Sequence, residues 1–492
     1  MHARPFMTRI GYGIAILLIS TVTAWPSPWA EAGDNQLRAD IEILAMAGVI
    51  DNVTTQWPLP WTSIAHDLRN ASLTGQPEAV QAAAAHVLAR AEKENEPGTS
   101  SAAAIDLTNG ASLVRGFDSL GRGDGQEALQ LSYDSSTLAG RLSIGSFTQT
   151  FRGHDTKLML DGSYAAAKLG DEALLYAGWI DHWWGPGWIS ALSLSNNARP
   201  MPQIGIERLN TTASGWPVLN LLGPWQAEFF VGLLDGPRLQ KNTLYNALRL
   251  TFNPTPNLEI GLARTEEFCG AGHACSPLRD YFNFNNDPAH LDKTNDEGLI
   301  DIKYSHAIFG APAQIYMQLM NEDSSPLVHS GTSHLFGASV FTDIGAGGPL
   351  RFTLEYADSI STRNIFSFGD DIFGFSYTNG SYPDGMRYRG RTIGFSLDDD
   401  SRLLSLQSAW HDDDGYFYEL SLHHADIGTE QLPQNNIVSS QPVTVNMAEV
   451  HVTLPFHHLK IDWAGRRQDD QPRPAHGFTA SIEAGLRMDF GN

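Results

Sequence analysis

Ser481-Ile482-Glu483-Ala484-Gly485-Leu486-Arg487-Met488-Asp489-Phe490 stands near the end of the 492-residue chain, and its reading decides the fold. Ile482, Ala484, Leu486, Met488 and Phe490 fall on one face of an extended chain, and Glu483, Arg487 and Asp489 on the other. Side chains alternate across a strand, so this spacing predicts a β-strand with one apolar and one polar face. The same period recurs upstream at Leu129, Leu131 and Tyr133, at Leu248, Leu250 and Phe252, and at Leu258, Ile260 and Leu262. It returns at Phe352, Leu354 and Tyr356 and at Val450, Val452 and Leu454. Roughly 18 to 20 such segments follow from Ser101 onward, without an intervening helical period. No repeat of ~20–50 residues is visible, which argues against a propeller.

Alternation fits either a soluble sandwich or a transmembrane barrel, because both hide one face of each strand. Export and strand length separate the two. Arg4 and Arg9 precede the apolar run Ile10 to Val22 and then small residues, the pattern of a secretory signal peptide. Cleavage fits after Ala24 or after Ala32, and residues 1–32 are assigned to this segment. Many strand segments approach the ~9–11 residues that a tilted membrane strand needs. The terminal segment resembles the C-terminal signal of bacterial outer-membrane barrels, although Gly491 and Asn492 follow its Phe. That resemblance implies outer-membrane lipid around the chain and recognition by the barrel-assembly machinery.

Composition narrows the classes further. The net charge is −23 with 42% hydrophobic residues, and the mean hydropathy is −0.22. No run beyond the N-terminus approaches the ~20 apolar residues of a membrane helix. Twelve Trp and 10% aromatics argue for a packed body rather than disorder. So acidic a chain is a poor partner for nucleic acid, whose binding rests on cations. Before the strands, residues 33–98 read as helical. Leu37, Ile41, Leu44, Ala45 and Val49 share a helical face that Asp34 or Asn35 can cap. Thr62 is the expected cap of a short helix to Leu68, and a third helix is expected from Pro77 to Glu94. This Ala-rich module has a thin core and is expected to lean on something larger.

One segment stands apart: Asp181-His182-Trp183-Trp184-Gly185-Pro186-Gly187-Trp188, followed by Leu194 to Pro200. It resembles the signature of the Wzi family of capsule-assembly outer-membrane proteins. Two other stretches resemble that family: Leu37 to Leu68, with Trp57-Pro58-Leu59-Pro60-Trp61, and Tyr382 to Asp400, with Arg387-Tyr388-Arg389-Gly390-Arg391. The resemblance implies a mainly β fold, a large transmembrane antiparallel β-barrel of about 18 strands over residues 99–492, with a small N-terminal helical bundle on its periplasmic side. It implies a lectin-like, non-enzymatic protein that attaches capsular or other extracellular polysaccharide to the cell, with no cofactor. It carries over no catalytic residue.

The residues themselves supply candidates. Trp183, Trp184 and Trp188 could stack on sugar faces, with Asp181, His182 and Arg199 binding hydroxyls; equally, they could pack a loop into the lumen or join an aromatic girdle. Arg387, Arg389 and Arg391, with Tyr388, are a local basic exception, and Arg pairs carboxylates in the bidentate manner that acidic polymers offer. If extended, the three Arg share a face, and the rival role is a lumen ladder paired with carboxylates. Cys269 and Cys275, closely spaced in an exported chain, predict a local disulfide, and no metal site is expected. Asp398-Asp399-Asp400 and Asp412-Asp413-Asp414 read as solvated turns. The alternatives to a lectin are a porin for small solutes and an outer-membrane glycan hydrolase. Counting strands back from Phe490 puts 468–477 and 427–444 outside but 359–390 and the cysteine loop on the periplasmic side. Long loops belong outside, so either a strand is miscounted within 359–390 or a segment folds into the lumen.

Overall fold

The computed structural model describes residues 27–51, 53–149, 156–273, 275, 294–322, 331–344, 348–412, 414–429, 436–474 and 479–490. The signal-peptide expectation falls almost wholly outside these residues.

Twenty strand segments close into one antiparallel ring. Thr156–Met159 and Tyr164–Leu169 both pair with Leu138–Thr148 and fill one place, while Asp371–Ile372 is a short annex. The wall is therefore 18 strands. The first six are β1 (Gly98–Thr108), β2 (Gly125–Asp134), β3 (Leu138–Thr148), the divided β4, β5 (Ala173–Trp179) and β6 (Pro202–Arg208). Then come β7 (Trp225–Leu234), β8 (Thr243–Thr255), β9 (Leu258–Phe268), β10 (Asn295–Ile308), β11 (Ala311–Glu322) and β12 (Thr332–Thr342). The last are β13 (Leu350–Thr362), β14 (Arg402–His411), β15 (Phe417–Ile427), β16 (Val443–Phe456), β17 (Leu459–Gln468) and β18 (Ala480–Phe490). Phe490 of β18 stands opposite Ser101 of β1, which seals the ring.

Period two explains the wall. Leu129, Leu131, Leu404, Leu406, Leu420, Leu422 and Ile482 point outward and are exposed, while Arg249, Glu259, Asp301, Lys303, Glu355 and Glu483 point inward and are buried. Burying charge is tolerable only when it is paired. Arg249 meets Asp301 at 2.7 Å, and Lys303 lies 2.9 Å from Glu42 and 2.7 Å from Glu259.

Three helices precede the wall: α1 (Asn35–Met46), α2 (Trp61–Asn70) and α3 (Glu78–Glu94). The Asp34 side chain caps α1 by accepting from the Leu37 N–H at 3.1 Å. Thr62 does not cap α2, which already begins at Trp61 behind Pro60. The module is seated in one mouth of the barrel. Asn35 reaches Glu419 of β15, Glu42 meets Lys303 and Gln314, and the Thr54 and Thr55 N–H groups donate to Glu259.

That mouth is also where the short connections 135–137, 170–172, 256–257, 309–310 and 457–458 gather. The long connections 180–201, 269–294, 363–401 and 428–442 belong to the other mouth, while 209–224 is a long connection at the short-turn mouth. The strand count from Phe490 is thereby corrected: 359–390 and the cysteine loop share the mouth of 427–444 and 468–477. The extra strand came from segment 363–401, which folds inward, burying Ile393, Phe395 and Leu397 inside the ring. In outer-membrane barrels the short turns mark the periplasmic mouth.

Candidate functional site

The Trp-rich segment joins β5 to β6 but dips into the lumen. Trp183 and Trp184 pair, as a two-residue ladder, with Trp57 and Gln56 of the helical module. Two of the stretches singled out in the sequence are thus halves of one ribbon. Gly185 has φ +139°, and a Cβ there would meet Gln318 Nε2 at 2.5 Å, so the turn requires glycine. Arg38 of α1 donates to the Pro186 and Gly187 carbonyls, both at 2.9 Å. Its guanidinium lies 4.1 Å from the Trp188 ring centroid, and that of Arg351 lies 3.7 Å from the same ring. His182 Nε2 lies 2.9 Å from Glu228, and its ring stacks on Phe230.

Trp183, Trp184 and Trp188 are 0%, 0% and 1% exposed. No face is left for a sugar to stack on, and the geometry matches the lumen-packing alternative. The cavity beside His182 and Arg199 is about 20 Å³. That admits a water, not a pyranose.

Segment 363–401 closes the same mouth. Arg387–Tyr388 and Arg391–Thr392 form a tight hairpin whose turn residues, Arg389 and Gly390, have φ +48° and +79°. The three Arg therefore do not share a face. Arg387 grips Asp398 through two bonds of 2.8 and 3.0 Å, and the Thr392 hydroxyl donates to the same carboxylate at 2.6 Å. Burial opposes the Arg387 charge, but Asp398 raises its pKa above the usual arginine value. Arg391 donates to Asn197 at 3.1 Å and to the Arg122 carbonyl. Arg199 holds Asp161 through two bonds of 2.8 Å beneath the Phe147 ring. Ser195, whose Oγ donates to the Gly394 carbonyl at 2.7 Å, knits the two inserted segments together.

The acidic triplet at 398–400 corrects the solvated-turn reading: all three residues are buried. Asp398 balances Arg387, and Asp400 accepts the Gly374 N–H at 2.9 Å. Burial, with Asp400 and Asp398 beside it, pushes the Asp399 carboxyl up to about 9. Asp412 does make a turn, accepting from the Asp414 and Tyr416 N–H groups, while Asp413 lies outside the described residues.

Of the eight residues singled out for polysaccharide, Arg389 is the one that is not buried; its side chain is 23% exposed. It donates to Asp235 at 2.8 Å and to the Tyr388 hydroxyl at 2.9 Å, and that hydroxyl donates to Asp235. Around this tip lie exposed Leu239 and the carboxylate of Asp384, which accepts the Leu239 N–H at 2.7 Å. His273 stacks on Tyr382 at 4.5 Å, and the Tyr382 hydroxyl donates to the Cys269 carbonyl. Cys269 and Cys275 are joined as a disulfide. Asp235, Leu239 and Asp384 carried no signal in the sequence beyond the Asp-Gly turn at 235–236 and the Pro-Asp-Gly turn at 383–385.

Comparison with known proteins follows this geometry. A family model described as capsule assembly protein Wzi matches residues 72–468. A Klebsiella pneumoniae protein, described as an uncharacterized 55.8 kDa protein in the cps region, is 26% identical over 317 residues. That match covers 62% of this chain and 60% of the relative's length. Among solved structures, the chain superposes on Wzi of Escherichia coli with a TM-score of 0.80 at 20% identity, covering 94% of this chain and 99% of that one. The E. coli protein is described as an outer-membrane, carbohydrate-binding β-barrel involved in group 1 capsule assembly.

Proposed function

The chain belongs to the Wzi family of capsule assembly proteins, and we propose that it is an outer-membrane lectin holding capsular or other extracellular polysaccharide at the cell surface, without chemistry on it. The observation that carries this reading is the filled lumen. Helices seat in one mouth, and segments 180–201 and 363–401 fold into the other, so recognition has to take place on the outer surface. The carbohydrate binding of the E. coli relative supports it.

The contact surface is the rim around Arg389, with Asp235, Tyr388, Leu239 and Asp384. Arg389 offers a partly exposed guanidinium to an acidic sugar. Arg387, Arg391, Arg199 and the three Trp position that rim from below. Residues 33–98 serve as a periplasmic plug, and β18 is the strand by which barrel-assembly machinery takes the chain. The signal peptide is cut after Ala24, because Trp29 packs on Tyr164 and Tyr176 and Glu31 pairs with Arg141 at 2.6 Å. An intact mass beginning at Gly33 would reverse that assignment.

Pull-down on immobilised capsular polysaccharide, paired with surface-polymer retention in a deletion strain, tests the function. Specific capture and a shed capsule are expected. No capture together with normal retention would overturn it. Steady openings in planar bilayers would instead favour the porin.

A further inference from the structure

The connection between β6 and β7 is the long exception at the short-turn mouth. From Leu209 to Pro224 it holds no Asp, Glu, Lys, Arg or His, in a chain of net charge −23. Its tip is apolar and open: Trp216 is 72% exposed, Val218 77% and Leu221 75%. Soluble surfaces seldom leave such residues contiguous without a partner.

The base of this connection is fixed. Thr211 donates through its N–H to Ser63 at 3.0 Å and through its hydroxyl to Asp51 at 2.8 Å, which ties it to the helical plug. Arg208 donates to the Trp225 carbonyl at 2.6 Å and lies 3.9 Å from the Trp225 ring centroid. The Asn253 N–H donates to the Pro224 carbonyl at 2.8 Å, and a Cβ on Gly223 would strike the Asn253 carbonyl at 1.9 Å. The short 3-10 turn Leu219–Leu222 is thus laid sideways against the end of β8 at the rim.

The outward face of the wall at this mouth is itself apolar and aromatic. Tyr304, Ile308, Phe309, Phe352, Tyr418, Phe456, Trp463 and Phe490 are all exposed there. Aromatic residues concentrate at such membrane interfaces. On β6, which leads into this connection, Ile204 and Ile206 are exposed on the same outward face.

We infer that residues 216–222 insert into the inner, phospholipid leaflet of the outer membrane and anchor the periplasmic rim. Trp216, Val218 and Leu221 enter the headgroup–acyl boundary, as an interfacial apolar face does. The lack of acidic residues matters here, since a phospholipid surface with anionic headgroups repels a chain as negative as this one. The tie from Thr211 to Ser63 then links lipid to plug.

The test uses the full mature chain in vesicles of phosphatidylethanolamine and phosphatidylglycerol. Both native cysteines are bonded to each other, so Leu221→Cys supplies a single site for an environment-sensitive fluorophore. Leu406→Cys on the lipid-facing wall is the buried-depth control. Lipids brominated near the headgroup end of the acyl chain should quench the loop-tip probe several-fold more than lipids brominated near the chain terminus. Aqueous iodide should barely reach it. A probe open to iodide and blind to bromolipid would overturn the inference, placing the loop in water. A probe shielded from both, with thiol cross-linking between the loop tips of two L221C molecules, would overturn it in favour of a second copy.

Discussion

The two mouths of this barrel are closed by different physics. At the short-turn mouth, a separate helical module is clamped to the wall by fully buried charges, with Lys303 between Glu42 and Glu259. At the long-loop mouth, the wall's own connections fold inward, and their charges grade from buried at Arg387 to part-exposed at Arg389. The ion pairs that clamp the first closure to the wall are buried on both sides. The second closure presents a part-exposed, paired cation at Arg389, which is what the proposed contact with an acidic polymer uses.

Substitutions can break that contrast. Lys303→Met leaves two carboxylates buried without their cation and should cost about 3–5 kcal/mol, the largest effect. Thermal unfolding in detergent reads it, and ion current through the loosened plug should accompany it. A loss below about 1 kcal/mol would show that the inner closure is no stiffer than a surface pair. Arg387→Ala should cost about 2–4 kcal/mol by abandoning Asp398 beside two further aspartates. Protease cutting within 373–401 would report it, with the helical module left intact.

A subtler test uses pH. The Asp399 carboxyl, with a folded pKa of about 9, keeps its proton at neutral pH, whereas the unfolded chain releases it near ~4. The folded state then binds more protons across that window, so stability falls as pH rises through it. The outer closure should become steadily more protease-sensitive from pH 5 to 9, and Asp399→Asn should flatten the curve. The smallest effect on stability is expected for Arg389→Ala, within about 1 kcal/mol, because its pair with Asp235 is part-exposed. Its binding to an acidic polysaccharide should nevertheless weaken about tenfold, or about 1.4 kcal/mol. Equal stability losses at Arg387 and Arg389 would erase the gradient on which the proposed rim rests.

The wall was legible in the sequence because lipid imposes an apolar side chain on every second position, as at Ile482, Leu486 and Phe490. The contents of the lumen were not. A barrel interior is polar, so Asp398, Asp399 and Asp400 look the same in sequence whether they face water or an enclosed Arg387. Ile393, Phe395 and Leu397 alternate like a wall strand yet pack inside it. The Trp-rich motif pointed to the right family for a reason that sequence hid: Trp183 pairs with Trp57, so the motif is a latch rather than a platform. The Arg tip was found by its charge, but its partner Asp235 lies on another connection, 154 residues away.

The seat of α1 also fixes a calendar. Its partners run from Pro186 and Gly187 through Lys303 to Asp412 and Glu419, and the wall that frames them is sealed only when β18 meets β1. The first folded element to be synthesised has its berth finished among the last. The seat of this helix is thus complete only in the closed ring, so its contacts report on closure of the whole wall.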